Sequence, residues 1–282
     1  MAKDIMLRPA TADDRRQVTY VESQATPKLS YLSHVFEDFL SDSEGEFGVA
    51  EMEGRVVGCG KFTVLPDGSA WLESIRVLPS YQGMGIGKSF YRRFFELAEQ
   101  KDIDTIRMYT GITNAKSRGL AEQFGFRQVG TYRGYRLPLV DVWIPAVDPK
   151  LVKVTDEEVA HDILAPLGER WNGFLVMNRT FYAATKTLYA DWAGKGRIHL
   201  HEDTGTAVVA GARFMPQSAL HIAAAGGNPY IWLLFALQKA RDLGAARLEC
   251  MFPPEDEELE GFLARRGFRR DDSDCIVMEI RM

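Results

Sequence analysis

The chain has 282 residues, 46% of them hydrophobic and 26% charged, with a formal net charge of −5. That length suits two domains and that composition suits packed cores, which excludes a disordered or fibrous chain. The charge is −1 up to residue 145 and −4 beyond it, so neither half has the basic surface that a nucleic-acid partner requires.

No apolar run approaches the ~20 residues of a membrane span, so no membrane partner is expected. Met1-Ala2-Lys3-Asp4 lacks the apolar core of a signal peptide, and a cytoplasmic protein is expected. Cys59, Cys250 and Cys275 are odd in number and widely spaced, which points to buried reduced thiols and not to a disulfide framework.

In chain order, Met6 to Thr11 reads as a strand, with Asp13 and Asp14 opening a first helix. A second strand, Ser69 to Leu78, leads into Gln82-Gly83-Met84-Gly85-Ile86-Gly87-Lys88 and then a helical pattern. Strand, glycine turn and helix in that order form an anion-binding arrangement: N–H groups at a helix start have no partner in the helix and sit at the positive end of its dipole. Gly87-Lys88-Ser89 resembles the tail of a Walker A loop, but Gln82 stands where the first glycine belongs. A dinucleotide fingerprint fails as well, because Lys88 occupies its third glycine position.

The pattern that fits is Gln82-x-x-Gly85-x-Gly87, and with it the sequence resembles the GNAT superfamily of N-acetyltransferases. Met6-Leu7-Arg8-Pro9-Ala10-Thr11 is similar to that family's opening strand, and Asn114 through Leu120-Ala121-Glu122-Gln123-Phe124-Gly125-Phe126 to its closing helix and strand start. The resemblance covers residues 5 to about 140. It implies acetyl-CoA as cosubstrate, no metal, and transfer of acetyl to an amine-bearing acceptor, a small molecule or peptide, by a monomer or homodimer.

By the same resemblance, cofactor binding falls to the main chain of Ile75, Arg76 and Val77, to the turn Gln82, Gly83, Met84, Gly85, Ile86, Gly87 and Lys88, and to Asn114 and Ser117. Glu73 is the catalytic base, on the expectation that it shares strand parity with Ile75 and Val77. An ion pair of Glu73 with Arg76 or Lys61 is its structural alternative. The family's usual tyrosine acid is Ala121 here, which leaves Tyr109, Tyr132, Tyr135, Ser117 or water to protonate the leaving thiolate. Two rival functions follow: an acetyl-CoA-binding sensor without catalysis, and an acyltransferase using a longer acyl-CoA such as succinyl-CoA.

The second half repeats the first. Phe262-Leu-Ala-Arg-Arg-Gly-Phe-Arg269 echoes Leu120-Ala-Glu-Gln-Phe-Gly-Phe-Arg127. The expected fold is therefore α/β (α+β): two GNAT-like domains, each a mixed, mostly antiparallel sheet flanked by helices. A catalytic domain at 1–145 and a degenerate one at 150–282 meet at Ile144-Pro145-Ala146-Val147-Asp148-Pro149, where two prolines stop regular structure.

Thr155 and Glu158 form a capping box that opens a short helix, interrupted at Pro166, and Thr180 to Ala193 reads as a further helix. His199 and His201 face one way on a strand, but two ligands make a poor metal site. Strand Ala219 to Ala225, helix Tyr230 to Leu243, strand Ala246 to Met251 and helix Glu257 to Arg266 follow. The turn Gly226-Gly227-Asn228-Pro229 lacks Q-x-x-G-x-G, and its proline removes an N–H, so this second site is read as degenerate.

Overall fold

A computed structural model of the protein describes residues 5–27 and 29–282. The chain divides into two compact units. One runs to Met108 and adds Ala115–Arg127 and Met278–Met282; the other holds Tyr109–Asn114 and Gln128–Val277. The proline segment 144–149 lies within the second unit, where Gln238 Nε2 donates to the carbonyls of Pro145 and Val147 at 2.8 Å each.

The first unit takes the elements β1 (Met6–Pro9), α1 (Arg15–Ala25), α2 (Leu32–Ser41), β2 (Glu46–Met52), β3 (Arg55–Val64), β4 (Ala70–Val77), α3 (Ile86–Gln100), the first part of β5 (Thr105–Gly111) and α4 (Ala115–Gln123). Strands β1 to β4 form an antiparallel meander, and β4 pairs in parallel with β5, registering Ala70 with Ile106 and Trp71 with Arg107. A parallel pair needs a crossover, and α3 supplies it.

The apolar stripe of α3, Ile86, Phe90, Tyr91, Phe94, Leu97 and Ala98, is buried. It closes onto β3 because Gly60 has no side chain there: a Cβ would stand 3.1 Å from both Phe90 and Phe94. Burying each phenylalanine contributes about 2 kcal/mol, so this face fixes the position of the helix start. Helices α1 and α2 cover the other face: α1 packs on β3 and β4 and α2 on β2, and Lys61 Nζ stands 5.8 Å from the Phe39 ring of α2.

The second unit holds β6 (Arg127–Pro138), β7 (Val152–Val154), α5 (Glu157–Arg170), β8 (Phe174–Met177), β9 (Thr180–Ala183), α6 (Lys186–Gly194), β10 (Ile198–His201), β11 (Thr206–Gly211), β12 (Leu220–Gly226), α7 (Pro229–Asp242), β13 (Arg247–Phe252), α8 (Glu257–Arg265), β14 (Arg269–Arg270) and the start of β15 (Cys275–Arg281). Strands β7, β10, β11 and β12 are antiparallel neighbours, and β12 pairs in parallel with β13 across α7. This repeats the β1 to β5 arrangement around α3. Each unit is thus a mixed, mostly antiparallel sheet with helices, as the resemblance implies.

The sequence echo has a physical basis. Gly125 and Gly267 have φ of 88° and 84°, and each ends a helix in the same way. Gly125 N donates to Glu122 O and Phe126 N to Ala121 O; Gly267 N donates to Ala264 O and Phe268 N to Leu263 O. Both are Schellman stops, which need glycine at the left-handed position.

Three expectations are corrected. Residues 180–193 are a strand and a helix: β9 pairs with β8, and the Thr185 hydroxyl caps α6 by accepting from Leu188 N. Pro166 does not interrupt α5, which runs through it to Arg170 with Ala160, Leu164 and Gly168 buried. Its N-cap is Asp156, accepting from Val159 N at 2.9 Å, and not Thr155. All three cysteines are free and buried. Among the described residues no helix is long and apolar enough to cross a membrane.

Candidate active site

The chain leaves β4 at Val77 and turns through Pro79–Tyr81 before the glycines. Gln82 Nε2 reaches back to Val77 O at 3.3 Å. Gly83 and Gly85 have φ of 82° and 93°, a region that side chains disfavour, and nothing lies within 4 Å of where their Cβ atoms would stand. Gly85 is the N-cap of α3, and no side chain caps this helix. The first bond into the helix is Ser89 N to Gly85 O at 3.0 Å, so the N–H groups of Ile86, Gly87 and Lys88 lie ahead of the ladder. Gln82, Gly83, Met84 and Lys88 are exposed, while Ile86 is buried as the anchor of the turn. Positive dipole, unspent donors and open space coincide here, which is what an anion such as a diphosphate needs.

The strand leading to this turn is bulged. Cys59 registers with Arg76 and Lys61 with Glu73, so the one residue Gly60 faces Ser74 and Ile75 together. Ser74 takes the strain, with φ of 56° although it is not glycine. The bulge inverts parity along β4. Val77 pairs with Gly58, and a Cβ on Gly60 would stand 3.4 Å from Ile75, so Ile75 and Val77 face α3. Glu73 and Arg76 lie on the face of Lys61 and Cys59, the one covered by α1 and α2.

The expected shared parity of Glu73 with Ile75 and Val77 is therefore corrected. Glu73 is 8% exposed and its Oε1 accepts from Thr63 Oγ1 at 2.7 Å. Lys61, fully buried, donates to Phe62 O at 2.7 Å and pairs with Asp42.

A polar cluster that periodicity did not reveal surrounds the bulge on that face. Glu22 of α1 is 1% exposed, and its carboxylate accepts from Tyr31 N and Leu32 N at 3.0 to 3.2 Å, closing the start of α2. Burial raises its carboxyl above the usual range, against those amides and the nearby Arg76. The Tyr31 hydroxyl lies 2.6 Å from Ser74 Oγ. Burial pushes the Cys59 thiol up to about 12, so it is no nucleophile. Such contacts join residues far apart in sequence, so no local pattern marks them.

Asn114 directly precedes α4, is exposed, and its N–H donates to Gly111 O at 2.9 Å; Ser117 is half-buried on α4. Ala121 is fully buried. Within the second unit Tyr132 donates to Trp171 O at 2.7 Å and Tyr135 to Glu260 Oε1 at 2.7 Å, and burial raises both phenols. Tyr109 packs against Phe181 at 6.1 Å between ring centroids.

The equivalent turn of the second unit is closed from within. A Cβ on Gly226 would fall 2.6 Å from Leu167 Cδ2, and one on Gly227 2.7 Å from Thr206 Cα. Those glycines serve packing. Asn228 Oδ1 caps α7 by accepting from Tyr230 N at 3.0 Å, Thr206 Oγ1 takes Asn228 N at 2.9 Å, and Pro229 has no N–H. His199 is buried, with its ring 4.4 Å from that of Phe235, and among the described residues no group of three or more His, Cys, Asp or Glu could hold a metal ion.

Residues 12–126 match the Acetyltransferase (GNAT) family. The chain is 27% identical over 101 residues to a Bacillus subtilis (strain 168) protein with a provisional ribosomal-protein-bS18-alanine N-acetyltransferase name; the match spans 36% of this chain and 66% of that one, just under two thirds. An N-alpha-acetyltransferase of Sulfurisphaera tokodaii is 25% identical over 156 residues, 51% of this chain and 93% of its own. A tandem GNAT protein from the clavulanic acid biosynthesis pathway shares the fold at a TM-score of 0.62 and 16% identity, covering 99% of this chain and 98% of that one.

Proposed function

We propose, from the match of residues 12–126 to the GNAT acetyltransferases, that the first unit carries acetyl from acetyl-CoA to the amine of a small molecule or peptide. The observation that carries this reading is the uncapped start of α3, with open space at Gly83 and Gly85. The diphosphate oxygens accept from the N–H groups of the 82–88 turn, and the main chain of Ile75, Arg76 and Val77 holds the pantetheine arm. Asn114 and Ser117 are assigned to that arm by family resemblance.

In the reaction the amine nitrogen attacks the thioester carbon, the C–S bond breaks, and coenzyme A leaves as thiolate. Glu73 takes the amine proton through water, since its carboxylate is buried and holds the Thr63 hydroxyl. Ala121 cannot return a proton, but a thiol with a pKa of about 8.5 on the cysteine scale needs only solvent to do so.

The buried methyl of Ala121 also motivates the sensor reading. Thiol release from acetyl-CoA, followed across a broad amine panel, tests the proposal. Amine-dependent turnover is expected; tight acetyl-CoA binding without turnover on any amine would favour the sensor. Competition by succinyl-CoA tests the longer donor.

The second unit repeats the fold without an open helix end, and we assign it no coenzyme.

A further inference from the structure

We propose that the acceptor carries an anionic group, a carboxylate in the simplest case, recognised by the Arg76 side chain; this rests on the acetyltransferase reading of the same strand. Arg76 is half-buried, and its Nε is buried without a hydrogen-bond partner. Its one side-chain hydrogen bond among the described residues is from Nη1 to the carbonyl of neighbouring Ile75, at 3.2 Å, and its side chain forms no salt bridge among them. A guanidinium has five donors in a planar fork that fits carboxylate oxygens. Leaving them unspent where water is partly excluded is costly unless a ligand uses them.

The bulge sets the assigned base beside this arginine. With or without it Arg76 points opposite to Ile75 and Val77, but without it Glu73 would share the face of those two. With Ser74 at φ 56° and Ile75 set against the single Gly60, both Glu73 and Arg76 lie on the face covered by α1 and α2, while α3 and its open N-terminus lie on the other face. The coenzyme's diphosphate belongs to the α3 end. An anion for Arg76 on the face opposite α3 is a separate group, beside the carboxylate assigned as base.

Glu22 is the nearby carboxylate of the protein, but its oxygens are held by Tyr31 N and Leu32 N and it makes no salt bridge to Arg76. The Tyr31 and Ser74 hydroxyls, joined at 2.6 Å, border the same face and add polar groups suited to an oxygen-rich acceptor.

The test uses the full chain and a panel of matched amines, each as the free carboxylate and as its neutral amide, with thiol release as readout. Wild type should show kcat/KM at least tenfold higher for the carboxylate members, and Arg76→Gln should lower that ratio at least tenfold. Arg76→Lys, which keeps the charge but not the fork, should fall between them. A preference for amides, or a ratio unmoved by Arg76→Gln in a folded variant, would overturn the proposal. So would a panel in which no carboxylate member is acetylated; acetyl-CoA affinity by calorimetry then tells whether the acetyltransferase reading has failed with it.

Discussion

Replacing Gly85 by Glu separates binding from folding. Gly85 sits at φ 93° and ψ −3° with nothing within 4 Å of a Cβ, so the substitution meets backbone strain and no clash. Left-handed strain for a non-glycine residue costs about 1–2 kcal/mol, which a domain with roughly 5–15 kcal/mol of stability survives.

The effect on the ligand is larger. A carboxylate ~6 Å from a phosphate charge, at an effective dielectric of ~20, repels it by about 3 kcal/mol. Two phosphates bring the loss to about 5 kcal/mol, more than a thousandfold in Kd. Calorimetry of acetyl-CoA binding, beside a urea transition showing the variant folded, measures both. Gly85→Ala is the control, with strain alone and an affinity loss of about tenfold or less. A folded Gly85→Glu variant that binds within threefold of wild type would refute the assignment. Gly87 is a poorer probe, because its Cβ would stand 2.9 Å from Leu120 Cδ2.

Three further outcomes are expected. Glu73→Gln should leave acetyl-CoA affinity nearly intact and lower kcat by roughly 10²-fold or more, with loss of the basic group from the pH–rate profile; an unchanged profile removes Glu73 from the mechanism. Glu22→Ala opens the start of α2 and should cost about 1–2 kcal/mol in urea unfolding, whereas an unshifted midpoint would show that the amide contacts of Tyr31 and Leu32 carry no stability. His221, fully buried, has its pKa lowered from 6.5 to about 4 chiefly by burial, against the pull of Glu249. The unfolded chain then binds more protons between those values, so stability is present above pH 6.5 and lost as pH falls toward 4, by about 3 kcal/mol at most. His221→Gln should flatten that part of the stability profile; an identical slope would contradict it.

The glycine turn and the two helix stops were legible in the sequence because each depends on one local requirement. Gly83, Gly85, Gly125 and Gly267 all hold φ that other residues resist. The order of β12, α7 and β13 was legible for the same reason, being marked by turns and apolar runs.

What local rules missed depends on long-range pairing. Phe181, Tyr182, Leu188, Tyr189 and Trp192 have helical spacing, but Thr180–Ala183 finds a strand partner in β8, and Thr185 restarts the chain as a helix. The bulge at Ser74 exists only because of its register with Gly60, so strand parity put Glu73 on the wrong face. Pro166 stays helical because buried Leu164 and Gly168 flank it, which outweighs one lost bond.

The contrast between the two helix starts is the centre of this account: α3 opens without a cap, while Asn228, Thr206 and Pro229 close α7. Titration of the intact chain with acetyl-CoA, read as bound equivalents by calorimetry or native mass spectrometry, tests it directly. One equivalent is expected, lost on Gly85→Glu. Two equivalents, with one surviving that substitution, would show that the Gly226-Gly227 turn binds coenzyme despite its internal cap and would contradict the account.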